Sequence, residues 1–366
     1  MKIETDAVTL AAALDAACSI PTGKSQALAH LAADKDTMSI TGGNGSVSIE
    51  VTIEAQVIEG GEIAVDAGKL SALVDGFDDG DTMLTIAVAN GAVKISGGDG
   101  TYRLPTTAAP QVLAITGKAT IPVEITGKDA LRLFEAVEAA EDEKLRYYLA
   151  GLHLDSKRPG YLTSVATNGA LLLTATTQTT GTIPPVTVPT TAIEIATRVI
   201  KAAKPATVCL RRDARLLEIA GANFRFTTRL IEVAYPEWRR VLPPASQNTA
   251  TIERRDLEAA LVRLSAIVDN TVLSPVVALS WEEGAPVNVT LLRGGVGGDQ
   301  IAGETNGAVR VALLLNNLLT LVQQFSGMEV ITIEAASTGV TITDSDAKLG
   351  VLSFTRWNFE EQEAAA

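Results

Sequence analysis

The chain has 366 residues, 46% of them hydrophobic and 20% charged, with a formal net charge of -13. These values exclude a disordered polymer and leave enough apolar residues for sizeable cores in two or three domains. Aromatic residues make up only 4%, so the cores are aliphatic, and the acidic balance excludes whole-surface adhesion to nucleic acid or anionic membrane while permitting a local basic stripe.

In chain order, the first predicted helix starts at Asp6 in "DAVTLAAALDAA". A second, "KLSALVDGF", sets Leu70, Leu73, Val74 and Phe77 on one face, and "MLTIAVANGAVKIS" reads as a hairpin turning at Asn90-Gly91. The same series then recurs. "DALRLFEAVEAA" begins at Asp129, Ile193, Ala196 and Ile200 mark the next second helix, and "TVCLRRDARLLEIA" gives the next strand pair. The third pass runs from Asp256 in "DLEAALVRLSAI", through Leu318, Leu321, Val322 and Phe325, to "VITIEAASTGVTIT". Ile95, Ile219 and Ile342 hold equivalent places, 124 and 123 residues apart. A period of this length is a whole domain rather than a solenoid repeat. The reading is α+β: three similar domains of antiparallel sheet plus two helices each, at residues 1–118, 119–245 and 246–366, the last with an acidic C-terminal tail. "ITGKATIPVE" forms the first link and "VLPPASQNTATIE" the second, where Pro243-Pro244 stops a helix or a central strand.

Catalytic patterns are missing. His30 and His153 stand outside any triad context and read as packing residues. "GGNGS", "GGDG" and "GGVGGDQ" lack the GK[ST] of a phosphate loop and read as flexible hairpin tips. "DGFDDGD" and "EAAEDEK" lack the register of a calcium loop, and Cys18 and Cys209 are too isolated for a zinc site or a disulfide framework. No catalytic residue, metal site or cofactor is therefore expected. Neither is a membrane span, because "VALLLNNLLTLV" is interrupted by Asn316 and Asn317, and without a signal peptide the expected location is the cytoplasm.

The basic residues sit unevenly. In "AIEIATRVIKAAK", Arg198 and Lys201 lie opposite the apolar stripe, Arg263 lies off the stripe of the third-pass helix, Arg254 and Arg255 precede that helix, and Lys128 and Arg132 decorate the helix starting near Asp129. They are either ordinary solvated faces or a modest positive field that attracts phosphates without reading bases.

Three stretches are more specific. "LRYYLAGLHLDS" (Leu145–Ser156), "LTSVATNGALLL" (Leu162–Leu173) and "FRFTTRLIEVAYPEWRRVLP" (Phe224–Pro243) resemble the bacterial DNA polymerase III beta subunit family, the replicative sliding clamps. The resemblance implies the DNA clamp fold, closing as a homodimer into a six-domain ring around double-stranded DNA. It implies a processivity factor, not an enzyme, which slides on DNA without sequence preference. Its implied partners are the DNA polymerase III catalytic subunit, the clamp loader and other proteins with a clamp-binding motif. By motif position, Leu149, Thr167, Gly169, Leu172, Pro236, Arg240 and Val241 would form the deep subsite of a peptide groove between domains two and three. Arg146 and Tyr148 would flank a shallower one. Tyr235, Trp238 and Arg239 read as packing between domains. Ala170-Leu171 replace the family's His-Arg pair, and Ser353 stands near the place of its hydrophobic terminus, departures that suit a divergent copy. Lys24, in "IPTGKSQ", matches the family's basic loop near the DNA hole, so Lys24, Arg198, Lys201 and Arg263 are the expected DNA contacts. Two other readings remain open: a clamp-fold peptide-binding scaffold with reduced DNA encirclement, and a metal-dependent enzyme using the acidic loops.

Overall fold

The order strand, helix, strands, helix, strands runs three times along the chain in the computed structural model, which describes residues 1–21, 27–77, 82–89, 91–115, 118–142, 145–345 and 348–359. The first pass comprises β1 (Lys2–Asp6), α1 (Ala7–Cys18), β2 (Leu28–Asp34), β3 (Thr37–Gly43), β4 (Val47–Glu54), β5 (Gln56–Glu59), β6 (Gly61–Asp66), α2 (Ala67–Asp75), β7 (Met83–Ala89), β8 (Ala92–Gly97) and β9 (Gly100–Pro105). The second comprises β10 (Val123–Thr126), α3 (Gly127–Phe134), β11 (Gly151–Asp155), β12 (Tyr161–Thr167), β13 (Leu171–Gln178), β14 (Val186–Pro189), α4 (Thr190–Ala203), β15 (Thr207–Arg212), β16 (Leu216–Ala220) and β17 (Phe224–Arg229). The third comprises β18 (Thr249–Glu253), α5 (Arg254–Ala266), β19 (Val276–Trp281), β20 (Val287–Arg293), β21 (Gly297–Ile301), β22 (Gly303–Asn306), β23 (Val309–Leu314), α6 (Leu315–Gln323), β24 (Val330–Ala335), β25 (Gly339–Thr343) and β26 (Lys348–Ser353). None of these helices is long and apolar enough to cross a membrane.

The chain divides into two compact units. The first holds Met1–Leu131, Ser156–Tyr161 and Gln178–Glu232, and the second holds Arg132–Asp155, Leu162–Thr177 and Val233–Ala366. In the first unit one sheet runs β10-β15-β16-β17-β4-β3-β2-β6, joined where Phe224 of β17 pairs with Val51 of β4, and another runs β5-β1-β7-β8-β9. In the second unit a sheet runs from β11 through β12, β13, β26, β25, β24 and β18 to β22, joined where Leu171 of β13 pairs with Leu352 of β26. A smaller sheet there runs β21-β20-β19-β23. The closing strands of one pass thus extend the middle strands of the pass before it.

The repeat reaches single hydrogen bonds. After the last strand of each pass, Thr107, Ile231 and Thr355 donate their amides to the carbonyls of Ala64, Thr187 and Ala312. Ile95, Ile219 and Ile342 are completely buried. The helices bury the expected stripes: Leu10 and Leu14 on α1, Leu70 and Val74 on α2, Ile193, Ala196 and Ile200 on α4, and Leu257, Leu261 and Leu264 on α5. Asp6 caps α1 by accepting from the Thr9 amide at 2.7 Å, and Asp66 caps α2 through the Lys69 amide at 3.0 Å.

Four local expectations need correction. The helix at Asp129 is regular only to Phe134 and tightens to a 3-10 turn over Glu135–Ala139. Arg254 does not precede α5 but opens it, buried, with its guanidinium on Glu258 one turn ahead and on the Met328 carbonyl. Arg132 is not a free helix-face cation, because it lies 3.6 Å from Asp344 with only 17% of its side chain exposed. The "GGVGGDQ" run is not simply a tip: Gly297 begins β21, and a Cβ there would meet Ile267 Cδ1 at 2.7 Å. β7 and β8 pair as far as Ala89↔Ala92, with Gly91 at a φ of 70°. Asn90 itself, the acidic tail from residue 360 and parts of both acidic loops lie outside the described residues.

Candidate functional site

The turn from β12 to β13 is fixed by its own polar groups. Asn168 accepts from the amides of Ala170 and Leu171 at 3.0 and 2.9 Å, and the Thr167 hydroxyl donates to the Leu171 carbonyl at 2.7 Å. Gly169 takes a φ of 89°, so the backbone selects glycine, and a Cβ at that position would have to displace Arg146 Nη1, 2.7 Å away. Arg146 reaches over the turn to the Asn168 carbonyl and anchors on Glu141 through Nε at 2.8 Å. It precedes the 3-10 turn Tyr147–Leu149, where the Leu149 amide donates back to the Arg146 carbonyl and the two tyrosine rings meet edge to face at 6.0 Å.

Beside this turn lies a compact apolar cluster. Leu172 pairs across to Val351, and both are buried with Val165 and Trp238, flanked by Tyr235, Leu242 and Leu349. The stretch leading into the second link supplies Tyr235 and Trp238, and the link itself supplies Leu242. Trp238 opens a short 3-10 turn to Val241, and Tyr235 stacks on His153 with ring centroids 4.5 Å apart. Burial pushes the Tyr235 phenol well above its ordinary pKa. Arg239 bonds both oxygens of Asp155, at 2.9 and 3.2 Å, with its guanidinium 4.2 Å from the centre of the Trp238 ring. These hydrogen bonds to Asp155 raise the Arg239 pKa further.

The expected peptide residues therefore fall into two sets. Arg146, Thr167, Gly169, Ala170, Leu171, Leu172 and Ser353 are brought together, since the Ser353 amide donates to the Ala170 carbonyl at 3.0 Å. Leu149 and Leu172 are only 5% and 3% exposed, and Tyr148 is half-buried. Pro236, Arg240 and Val241 are exposed where the chain enters the second link. Sequence reasoning did not select Val165, Leu349 or Val351, which reach the cluster through sheet register, a long-range property. It placed Trp238 in packing, and Trp238 indeed covers Leu172.

The expected DNA contacts are not gathered in one unit. Arg198 and Lys201 lie exposed on α4 in the first unit, where Arg198 donates to the Ser19 carbonyl at 3.4 Å. Arg263 lies on α5 in the second, 61% exposed, with its guanidinium on Asp299. Lys24 falls outside the described residues.

The chain superposes on the DNA polymerase III subunit beta of Pseudomonas aeruginosa with a TM-score of 0.87, covering 98% of this chain and 100% of that one at 20% identity. The chain has the beta-sliding-clamp fold. Caulobacter crescentus pol III beta matches it with a TM-score of 0.85 at 22% identity, again over 98% and 100% of the two chains. In sequence, it is 25% identical over 256 residues to the beta sliding clamp of Synechococcus elongatus, taking in 65% of this chain and 66% of that protein. The clamp of Caulobacter vibrioides is 26% identical over 248 residues, with the same coverage. These sequence matches span about two thirds of the clamps they match, and no family model matches the chain.

Proposed function

We propose that this chain is a DNA polymerase processivity factor, a homodimeric ring that encircles double-stranded DNA and tethers the polymerase. In this reading the passes are three clamp domains, at residues 1–118, 119–245 and 246–366, acting in the cytoplasm without catalysis. The carrying observation is a pair of unfinished sheets. β17 closes on β4 and β26 closes on β13, yet among the described residues β9, which holds the same place in the first pass, ends its sheet without a further strand, and so does β21, the third-pass counterpart of β4 and β13. Two copies complete both sheets by two equal β9–β21 joins. Leu273 at 94% exposure and Val296 at 96% lie in sequence on either side of β20, and Tyr102 on β9 is 44% exposed, leaving apolar surface for such a contact.

The groove residues around Leu172 then serve as the dock for linear motifs of the DNA polymerase III catalytic subunit, the clamp loader and other clamp-binding proteins. Apolar anchors suit the cluster, and Arg146, Tyr148 and Arg240 offer donors at its rim. Arg198, Lys201, Arg263 and Lys24 supply the weak, non-specific attraction to phosphates.

A second reading, a peptide-binding scaffold with reduced DNA encirclement, is favoured by one observation: Arg263 spends its charge on Asp299. Light scattering and a linearisation assay separate the two. A ring shows twice the 38.2 kDa chain mass, stays on nicked circular DNA after loading and is lost when the circle is cut. A monomer at micromolar concentration removes the ring, and a dimer whose retention ignores cutting supports the scaffold.

A further inference from the structure

The turn from β3 to β4 in the first unit is built like the turn from β12 to β13 in the second. Asn44 and Gly45 lie 124 residues before Asn168 and Gly169. Asn44 accepts from the amides of Ser46 and Val47 at 2.9 Å each, Gly45 has a φ of 82°, and the Arg229 amide donates to the Ser46 carbonyl as that of Ser353 does to Ala170. The Leu113 amide then donates to Ser48, the counterpart of Leu172, at 2.6 Å.

The two places differ in what fills them. Counting the same 124 residues back from Trp238, the buried ring ahead of the second link, leads to Ala114, which is exposed. At Gly339 in the second unit a Cβ would already touch Pro243 at 3.4 Å, whereas its counterpart in strand register is Leu216, which carries a full side chain, and Arg215 beside it projects into solvent with its side chain 75% exposed. A cavity of about 440 Å³ remains in the first unit between Val112, Leu113 and Leu216, with Lys118, Arg215 and Arg229 around it. Its one carboxylate, Asp213, is turned onto the amides of Arg215 and Leu216 at 2.8 Å each. Arg215 also lies 3.7 Å from Glu232, both well exposed, a weak surface pair that a ligand carboxylate can displace.

We propose that this cavity is a second docking site, which takes a short acidic linear segment of a partner protein by an aliphatic anchor. The apolar floor accommodates one or two aliphatic side chains, and three cations on a chain of net charge -13 select carboxylates flanking the anchor. This goes beyond the clamp reading, since it rests on the first unit alone.

The probe is a short fluorescein-labelled peptide of alternating glutamate and leucine, followed by anisotropy against the full chain. Saturable binding that weakens with salt is expected. Ala114→Trp, which supplies the ring that the second unit has, should cut affinity at least about tenfold, the worth of one buried aliphatic anchor. Arg215→Glu, at an exposed position, should do the same without touching the fold. Val241→Asp, in the other groove, should leave this binding unchanged. Absence of binding at millimolar peptide overturns the proposal. So does loss with Val241→Asp but not with Ala114→Trp, which puts the peptide in the other groove. Tighter binding of a labelled DNA oligonucleotide with the same sensitivity to Arg215→Glu assigns the cavity to nucleic acid instead.

Discussion

Arg239, just before the second link, bonds both carboxylate oxygens of Asp155, a residue 84 positions earlier that is 2% exposed at the end of β11. The same guanidinium lies over Trp238, so one side chain fixes both the link and the ring that covers Leu172. Arg239→Ala should cost about 1–3 kcal/mol, because it withdraws two charge-assisted hydrogen bonds from a buried acid. The adjacent Arg240→Ala, at an exposed position, should stay within about 0.5 kcal/mol. Urea unfolding of the two variants checks the contrast, and equal midpoints would remove the role given to Arg239.

Val241 is 62% exposed beside the apolar cluster. Val241→Asp should leave the unfolding midpoint unchanged and weaken an aliphatic clamp-binding peptide about tenfold or more. Leu172→Ala should behave differently, losing about 2–4 kcal/mol of stability because Leu172 is packed under Trp238. Peptide anisotropy together with urea melts distinguishes a surface contact from a core one. Unaltered binding by Val241→Asp would move the groove elsewhere.

Arg198→Glu with Lys201→Glu should reduce retention on nicked circular DNA. For two lost phosphate contacts the salt dependence should flatten by about 2 in log-log slope. Arg263→Glu should have a smaller effect, because its guanidinium already faces Asp299. Unchanged loading by the double variant at low salt would mean that the exposed side of α4 faces away from DNA.

Asp6 gives a pH signature. Burial acts to raise its pKa, and the hydrogen bonds from Thr9 outweigh it, so the carboxyl titrates below its ordinary value of 3.8. A depressed folded pKa means that the cap's charge-dependent stabilisation is complete above the unfolded value and is lost as pH falls through the folded one. Asp6→Ala should therefore cost about 1 kcal/mol at pH 7, and the gap to the parent chain should narrow below about pH 4. A gap independent of pH would show that the charge of Asp6 contributes nothing to the cap.

Much of the fold was legible because the amphipathic stripes and the equivalent isoleucines follow local rules of burial and period. Ile95, Ile219 and Ile342 could be aligned without a structure, and all three are buried. Arg254 is less legible: its i,i+4 partner Glu258 is equally consistent with a solvated helix face, and its burial depends on the Met328 carbonyl 74 residues away. The candidate groove was half legible. Its motif residues are contiguous in sequence, but Val351 and Leu349 arrive through the pairing of β13 with β26. The likeness of Asn44-Gly45 to Asn168-Gly169 is present in the letters but not legible there, because a hairpin tip rich in glycine looks alike whether it is loose or held by an asparagine side chain.

The joining of β17 to β4 has a consequence for biosynthesis. Val51 leaves the ribosome 173 residues before its partner Phe224. A nascent chain that has released only its first pass therefore carries an open β4 edge and an open β9 edge. Such edges on neighbouring nascent chains can pair with one another until β17 emerges and claims β4. Slow translation between Pro105 and Phe224 would lengthen that exposure, and a holdase that covers sheet edges would shorten it.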